Sequence, residues 1–320
     1  MPGDLPARIR AGESAAIAKA ITLIERDDPV GRALCAELAD AGGAAFSIGV
    51  TGPPGAGKST LIGALVGCAR ADGLKVGVLS VDPSSPFTRG ALLGDRVRLA
   101  EHYGDAGVFI RSMGSRGHAG GLSEATQQAL TILDASGCDV VFVETVGAGQ
   151  NEIGVRSVVD CVLLVALPDA GDAIQALKAG VMEIPDILAV NRRDDPRAGA
   201  TAAELRGALS VDGGAKPVVL TEAVTGEGVG ELWAALERER AASLRDPDRE
   251  TKRSRRLESE VVALASARLH RHLEWAVAND PTLAEVIDRV GNRDLDPFTA
   301  ADLIVSIVLG GGDTDSTDAR

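Results

Sequence analysis

Aromatic side chains are scarce in this 320-residue chain: Phe, Tyr and Trp together make up 2% of it. A core without rings must be built from Val, Leu, Ile and Ala, which suits parallel strands covered by helices on both faces. Cysteine is equally sparse. Cys35, Cys68, Cys138 and Cys161 are scattered, form no CxxC pair and have no histidine close by. They are therefore expected to be buried, reduced thiols and not a metal site or disulfide framework. A basic excess is absent as well, with 33 Lys+Arg against 46 Asp+Glu and a formal charge of −13. An acidic surface argues against non-specific binding to nucleic acid or to an anionic membrane. The longest apolar run, Cys161 to Leu167, falls far short of the ~20 residues a membrane helix needs. No charged-then-apolar leader opens the chain. A cytoplasmic protein is expected.

With 45% hydrophobic residues, the chain is long enough for one large α/β domain with helical additions. Apolar residues recur at helical spacing over 6–40, with a break at Asp28-Pro29. A small-residue joint over 40–45 ends this N-terminal extension, placed at 1–45. From 46 to about 245 the pattern becomes βα alternation, with strands predicted near Phe46–Thr51, Lys75–Val81, Val108–Arg111, Val140–Glu144, Val162–Leu167, Ile187–Asn191 and Val218–Thr221. Helices are predicted over Lys58–Ala71, Leu122–Ser136, Asp172–Val181, Thr201–Leu209 and Val229–Arg240. Strands separated by helical stretches imply a doubly wound, mainly parallel sheet. A charged helix follows in a region placed at 246–309, with shorter helices near Thr282–Val290 and Phe298–Leu309. The Gly/Asp/Ser/Thr-rich tail, 310–320, is expected to be disordered.

The most specific local signal is Gly52-Pro53-Pro54-Gly55-Ala56-Gly57-Lys58-Ser59-Thr60, a complete GxxxxGK[ST] between a predicted strand and helix. Its glycines let backbone amides turn inward around phosphate, and the helix N-terminus adds a positive dipole end. Lys58 is placed to reach the β/γ-phosphates and Ser59 to ligate Mg²⁺. Three acids are candidates to complete the site. Glu144 ends an apolar strand and is followed by Gly147, whose N–H can swing onto a γ-phosphate; Asp82 sits at another strand tip; Asp95 lies in a glycine-containing loop. Lys58, Asp82 and Glu144 are the candidate catalytic set, and Ser59, Asp82, Asp95 and Glu144 the candidate metal set.

Base choice is encoded further on. Asn191-Arg192-Arg193-Asp194 resembles the NKxD guanine motif, with Arg192 where lysine is usual. The Asp194 carboxylate can accept both the ring N–H and the exocyclic amine of guanine, a pattern adenine does not offer, while Asn191 braces the loop. Glu222-Ala223-Val224 occupies the place of the SAK-like loop, with Glu222 where serine is usual. There the N–H of Ala223 is expected to meet the guanine oxygen. The bound nucleotide is therefore expected to be GTP or GDP.

Taken with Ala20–Glu25, Asp82–Pro86, Ala91–Arg96, Val143–Glu152, Pro168–Gly180 and Thr225–Gly228, these motifs resemble the MeaB/ArgK/MMAA family. These are GTPase chaperones of adenosylcobalamin-dependent methylmalonyl-CoA mutase. The resemblance covers most of the chain in order. It implies a Mg²⁺-dependent GTPase that forms homodimers through its C-terminal helices and gates cofactor delivery to an acyl-CoA mutase. It further implies that the loops holding Gly147, Gln150 and Lys178 act as switches. No glutamine directly follows Gly147 to orient water, so slow intrinsic turnover that a partner accelerates is expected.

Two other classes share parts of this pattern. A metal-insertion GTPase of the nickel-chaperone type would need clustered soft or imidazole ligands, whereas His102, His118, His270 and His272 are dispersed. A P-loop small-molecule kinase would need an acceptor pocket and adenine preference, which Asn191 and Asp194 oppose.

Overall fold

The computed structural model describes residues 5–39, 45–82, 99–114, 124–145, 155–168, 185–211, 216–247 and 249–310. They divide into two compact units, Met1–Arg253 and Ser254–Arg320.

The first unit is built on seven strands: β1 (Phe46–Thr51), β2 (Val76–Asp82), β3 (Val108–Gly114), β4 (Val140–Thr145), β5 (Cys161–Ala166), β6 (Ile187–Val190) and β7 (Val218–Leu220). They form one sheet in the order β3-β2-β4-β1-β5-β6-β7, and every pairing is parallel. All residues of β1, β4 and β5 are buried, as expected of strands covered on both faces. The chain fills one half of the sheet with β1 to β4, then crosses to β5 on the far side of β1. This reversal leaves a crevice beyond the carboxyl ends of β1, β4 and β5, where ligands bind in such folds.

Side-chain alternation along the strands separates the two faces. Phe46, Ile48 and Val50 of β1 and Phe142 of β4 point to one side, where Leu61, Ile62 and Leu65 of α4 (Lys58–Ala71) and Leu232, Trp233 and Leu236 of α7 (Val229–Arg245) cover them. Val141 and Val143 of β4 with Leu79 and Val81 of β2 point to the other. That face is covered by α5 (Glu124–Ala135) and by the N-terminal helices α1 (Leu5–Arg10), α2 (Ser14–Glu25) and α3 (Pro29–Leu38). The N-terminal segment thus shares its core with the sheet. Its predicted break is real and capped: Asp28 accepts a hydrogen bond from the Val30 amide at 2.8 Å, and Pro29 opens α3. Helix α6 (Ala198–Val211) closes a third cluster over β6 and β7.

The second unit holds most of α8 (Arg249–Asn279), which the division falls within, together with α9 (Pro281–Gly291) and α10 (Pro297–Gly310). Leu283, Val286 and Ala300 are buried there, while Val261, Val262, Trp275 and Phe298 are exposed. No helix among the described residues is long and apolar enough to cross a membrane. Two of the four thiols, Cys138 and Cys161, are buried; Cys35 and Cys68 are half-buried, and all four are free.

Candidate functional site

The phosphate-binding motif bridges β1 and α4 at the sheet reversal. Gly52, Pro53, Pro54, Gly55 and Ala56 form the turn, Gly57 is the N-cap of α4, and Lys58, Ser59 and Thr60 open the helix. Two glycines are required by geometry. Gly52 has φ 139°, and a Cβ there would lie 2.1 Å from the Val165 carbonyl oxygen; Gly57 has φ 86°, and a Cβ there would lie 2.4 Å from Asn191 Nδ2. Such backbone is accessible to glycine and strained for other residues. The buried Lys58 ammonium folds over the turn and donates to the carbonyls of Gly52 (2.8 Å) and Pro53 (3.1 Å).

Parallel register brings an acid to the same place. Glu144 of β4 stands beside Val50 of β1 on one side and Ser80 of β2 on the other. Ser59 Oγ donates to Glu144 Oε1 at 2.6 Å, and Ser80 Oγ donates to Oε2 at 3.3 Å. Ser59 and Glu144 are 2% and 7% exposed, so this contact lies in a low-dielectric setting where charge-assisted hydrogen bonds are short and strong. Asp82 closes β2 opposite Gly114 of β3, with its backbone at the same carboxyl edge. Asp95, Gly147, Gln150 and Lys178 lie outside the described residues.

The two candidate base-reading loops meet on Asn191, which directly follows β6. Its Nδ2 donates to the Ala56 carbonyl at 2.8 Å, and its Oδ1 accepts from the Ala223 amide (3.1 Å) and Thr221 Oγ1 (3.3 Å). The side chain is 4% exposed and ties the phosphate turn to the loop after β7. The Ala223 N–H expected to face guanine is thus given to Asn191 in this structure. Arg192 adopts a left-handed φ of 60° and turns its guanidinium toward the Gly55 carbonyl at 3.4 Å. The Arg193 amide donates to the Thr221 carbonyl at 3.0 Å, which sets Asp194 and Glu222 side by side. Burial, and then the neighbouring Asp194 carboxyl, push the Glu222 carboxyl above the usual range. Glu222 Oε1 accepts from the Val224 amide at 3.4 Å, and the Val224 side chain is 82% exposed.

Two participants were absent from the sequence reading, Ser80 and Thr221. Ser80 is a buried hydroxyl within β2 and Thr221 a buried hydroxyl directly after β7, and a polar residue adjoining apolar ones is the only signal the chain offers for either.

Comparison with known proteins places the chain in a family. Residues 17–278 match the family described as methylmalonyl-CoA mutase-associated GTPase MeaB. A protein of Pyrococcus abyssi carrying a GTPase name is 44% identical over 319 residues, covering 98% of each chain. The mitochondrial methylmalonic aciduria type A homolog of Mus musculus is 30% identical over 92% of this chain and 76% of its own length. The crystal structure of a LAO/AO transport system kinase superposes with a TM-score of 0.73 at 27% identity, covering 96% of this chain and 97% of that one. With the family match running over residues 17–278 and the Pyrococcus relative aligned nearly end to end, the chain belongs to the MeaB family of P-loop GTPases.

Proposed function

We infer that this GTPase is a chaperone and gatekeeper for an adenosylcobalamin-dependent acyl-CoA mutase, methylmalonyl-CoA mutase or a close relative, and that it works in the cytoplasm. GTP hydrolysis is coupled to loading and protection of the mutase cofactor. The observation that carries the reading is the buried Ser59–Glu144 contact against a complete P-loop, in a chain whose family is named for association with this mutase.

The donor set at that contact, a hydroxyl and a carboxylate, is all oxygen and fits Mg²⁺. Ser59 and Glu144 would hold the ion, with Asp82 and Asp95 completing its surroundings. When bound, the ion neutralises charge developing on the β- and γ-phosphates. The chain's own groups do the rest. The amides of residues 52–60 cradle the phosphates, and Lys58 exchanges its carbonyl partners for phosphate oxygens. Asn191 holds the base loop to the phosphate turn, and Asp194 accepts the guanine N–H groups.

Gly147, Gln150 and Lys178 belong to the loops that sense the γ-phosphate. With no glutamine beside Gly147, turnover in isolation is slow, and the mutase accelerates it by ordering those loops. The hydrolysis free energy then shifts populations within the complex. The exposed Val261, Val262, Trp275 and Phe298 of the second unit support homodimerisation through the C-terminal helices.

Titration of GTP and ATP with the purified protein, with and without the mutase, tests the reading. GTP-selective binding and hydrolysis stimulated by the mutase are expected. ATP selectivity with an acceptor alcohol would replace it with a kinase, and fast hydrolysis indifferent to the mutase would remove the chaperone role.

A further inference from the structure

Glu222 stands where related loops carry serine, and its surroundings are chemically unusual. Its Oε2 is buried and makes no hydrogen bond of normal geometry among the described residues; the Val224 and Asp194 amides favour the ionised carboxylate only in part, and the side chain beside it is Asp194, another carboxyl. Two carboxylates are acceptors only, so the pair can form a hydrogen bond with each other solely by holding a proton between them. The cations of the surrounding loops are directed elsewhere. Arg192 faces the Gly55 carbonyl, Arg193 lies 3.7 Å from Glu227, which bridges Glu222 through its backbone, and Arg197 pairs with Asp195 at 2.8 Å. The backbone that fixes the pair is well defined: Thr221 N donates to the Val190 carbonyl at 2.9 Å and Arg193 N to the Thr221 carbonyl at 3.0 Å.

We propose that Glu222 is a specificity residue of the guanine pocket, which takes up one proton from solvent as the base seats on Asp194. The argument rests on the guanine-nucleotide reading above. Asp194 must be ionised to accept two N–H bonds from guanine. A base stacked over the loop strips water from Glu222 and raises the cost of a second negative charge, so the proton enters on Glu222, which donates it to Asp194 or to the base oxygen. Burial and Asp194 already push Glu222 in this direction in the free protein.

The sign follows from linkage. A bound state that holds more protons than the free state loses affinity as pH rises, by up to about tenfold per pH unit for one proton. Adenine, which offers Asp194 no matching donors, gains nothing from the proton. Guanine selectivity therefore weakens toward alkaline pH, whereas a serine at this position would leave it level.

The test is GDP affinity from pH 5.5 to 8.5 for the full chain and for Glu222→Gln, with titration calorimetry in buffers of different ionisation enthalpy. Titration of the GDP phosphates is common to both proteins and cancels in the comparison. The wild type should lose affinity more steeply than E222Q and take up close to one additional proton per GDP. Should E222Q fail to fold, Glu222→Ser replaces it. Parallel pH profiles and equal proton uptake would overturn the proposal while leaving the guanine reading intact. Failure of the wild type to bind GDP at any pH would remove both.

Discussion

Ser59 and Glu144 lie 85 positions apart in the chain and meet through a 2.6 Å hydrogen bond at the carboxyl edge of the sheet. Neither element alone creates the contact. The helix that begins at Lys58 sets the serine, and the β1–β4 register sets the acid. Replacing Glu144 with Gln is expected to weaken magnesium-dependent GTP binding or turnover by about 10- to 100-fold, the scale seen for groups that position metal ligands. Ser59→Ala should act in the same direction. Equilibrium titration with mant-GTP at varied magnesium gives the first quantity and phosphate release the second; unchanged values in both variants would detach this pair from the nucleotide site.

Asn191→Ala removes one donor and one acceptor that join the phosphate turn to the loop after β7. Three hydrogen bonds at about 1 kcal/mol each predict a loss of about 2–4 kcal/mol on denaturant unfolding. GTP-over-ATP preference should fall with it. Asn191→Asp retains the acceptor for Ala223 but sets a buried, unpaired carboxylate against the Ala56 carbonyl, so it should lose at least as much stability as Asn191→Ala.

Two of the three positive-φ glycines of the P-loop should differ. At Gly57 an alanine meets both an unfavourable φ and Asn191 Nδ2, whereas at Gly55 (φ 75°) a Cβ meets nothing within 4 Å. Gly55→Ala is expected to cost only the backbone term of about 1–2 kcal/mol. Gly57→Ala should cost more and also reduce guanine selectivity, because the Cβ displaces the asparagine that braces the base loop. Equal thermal shifts for the two variants would count against this placement.

Asp195 supplies a pH prediction. The Arg197 side chain and then the Arg197 amide hold its carboxyl well below the ordinary range, at about 2. A depressed carboxyl stabilises the fold above its unfolded pKa, near 3.9, and loses that contribution as pH falls through the folded value. The difference in melting temperature between wild type and Asp195→Asn should therefore be constant above about pH 5 and shrink between about pH 4 and 2. A difference that grows on acidification would contradict the assignment.

Much of the sheet could be read from residue patterns because its strands are buried on both faces and separated by glycine or charge. Val140–Val143 is a continuous apolar run followed by the acid Glu144, and Lys58 opens a helix after a glycine that only a tight turn needs. The ends of elements were harder to place. Helix α6 begins at Ala198 and not Thr201, because the Asp195–Arg197 turn leads directly into it. The contacts at the site were less legible still. Nothing local to Ser80 indicates that it faces Glu144, since that pairing follows from strand order. Likewise the Ala223 amide is claimed by Asn191 across 32 positions, a partner that no short motif specifies.

The covering of one sheet face by α1, α2 and α3 bears on how this protein can be dissected. Ile9, Ile17, Ile21, Ile24, Leu34 and Leu38 close over Leu79, Val141 and Val143, so residues 5–39 are a wall of the building and no porch. A fragment begun at Phe46 would retain every P-loop residue yet present raw aliphatic surface to water, inviting self-association before it could hold a nucleotide. Work on the isolated catalytic half should keep its amino-terminal helices, even though none of them carries a residue assigned to phosphate, base or metal.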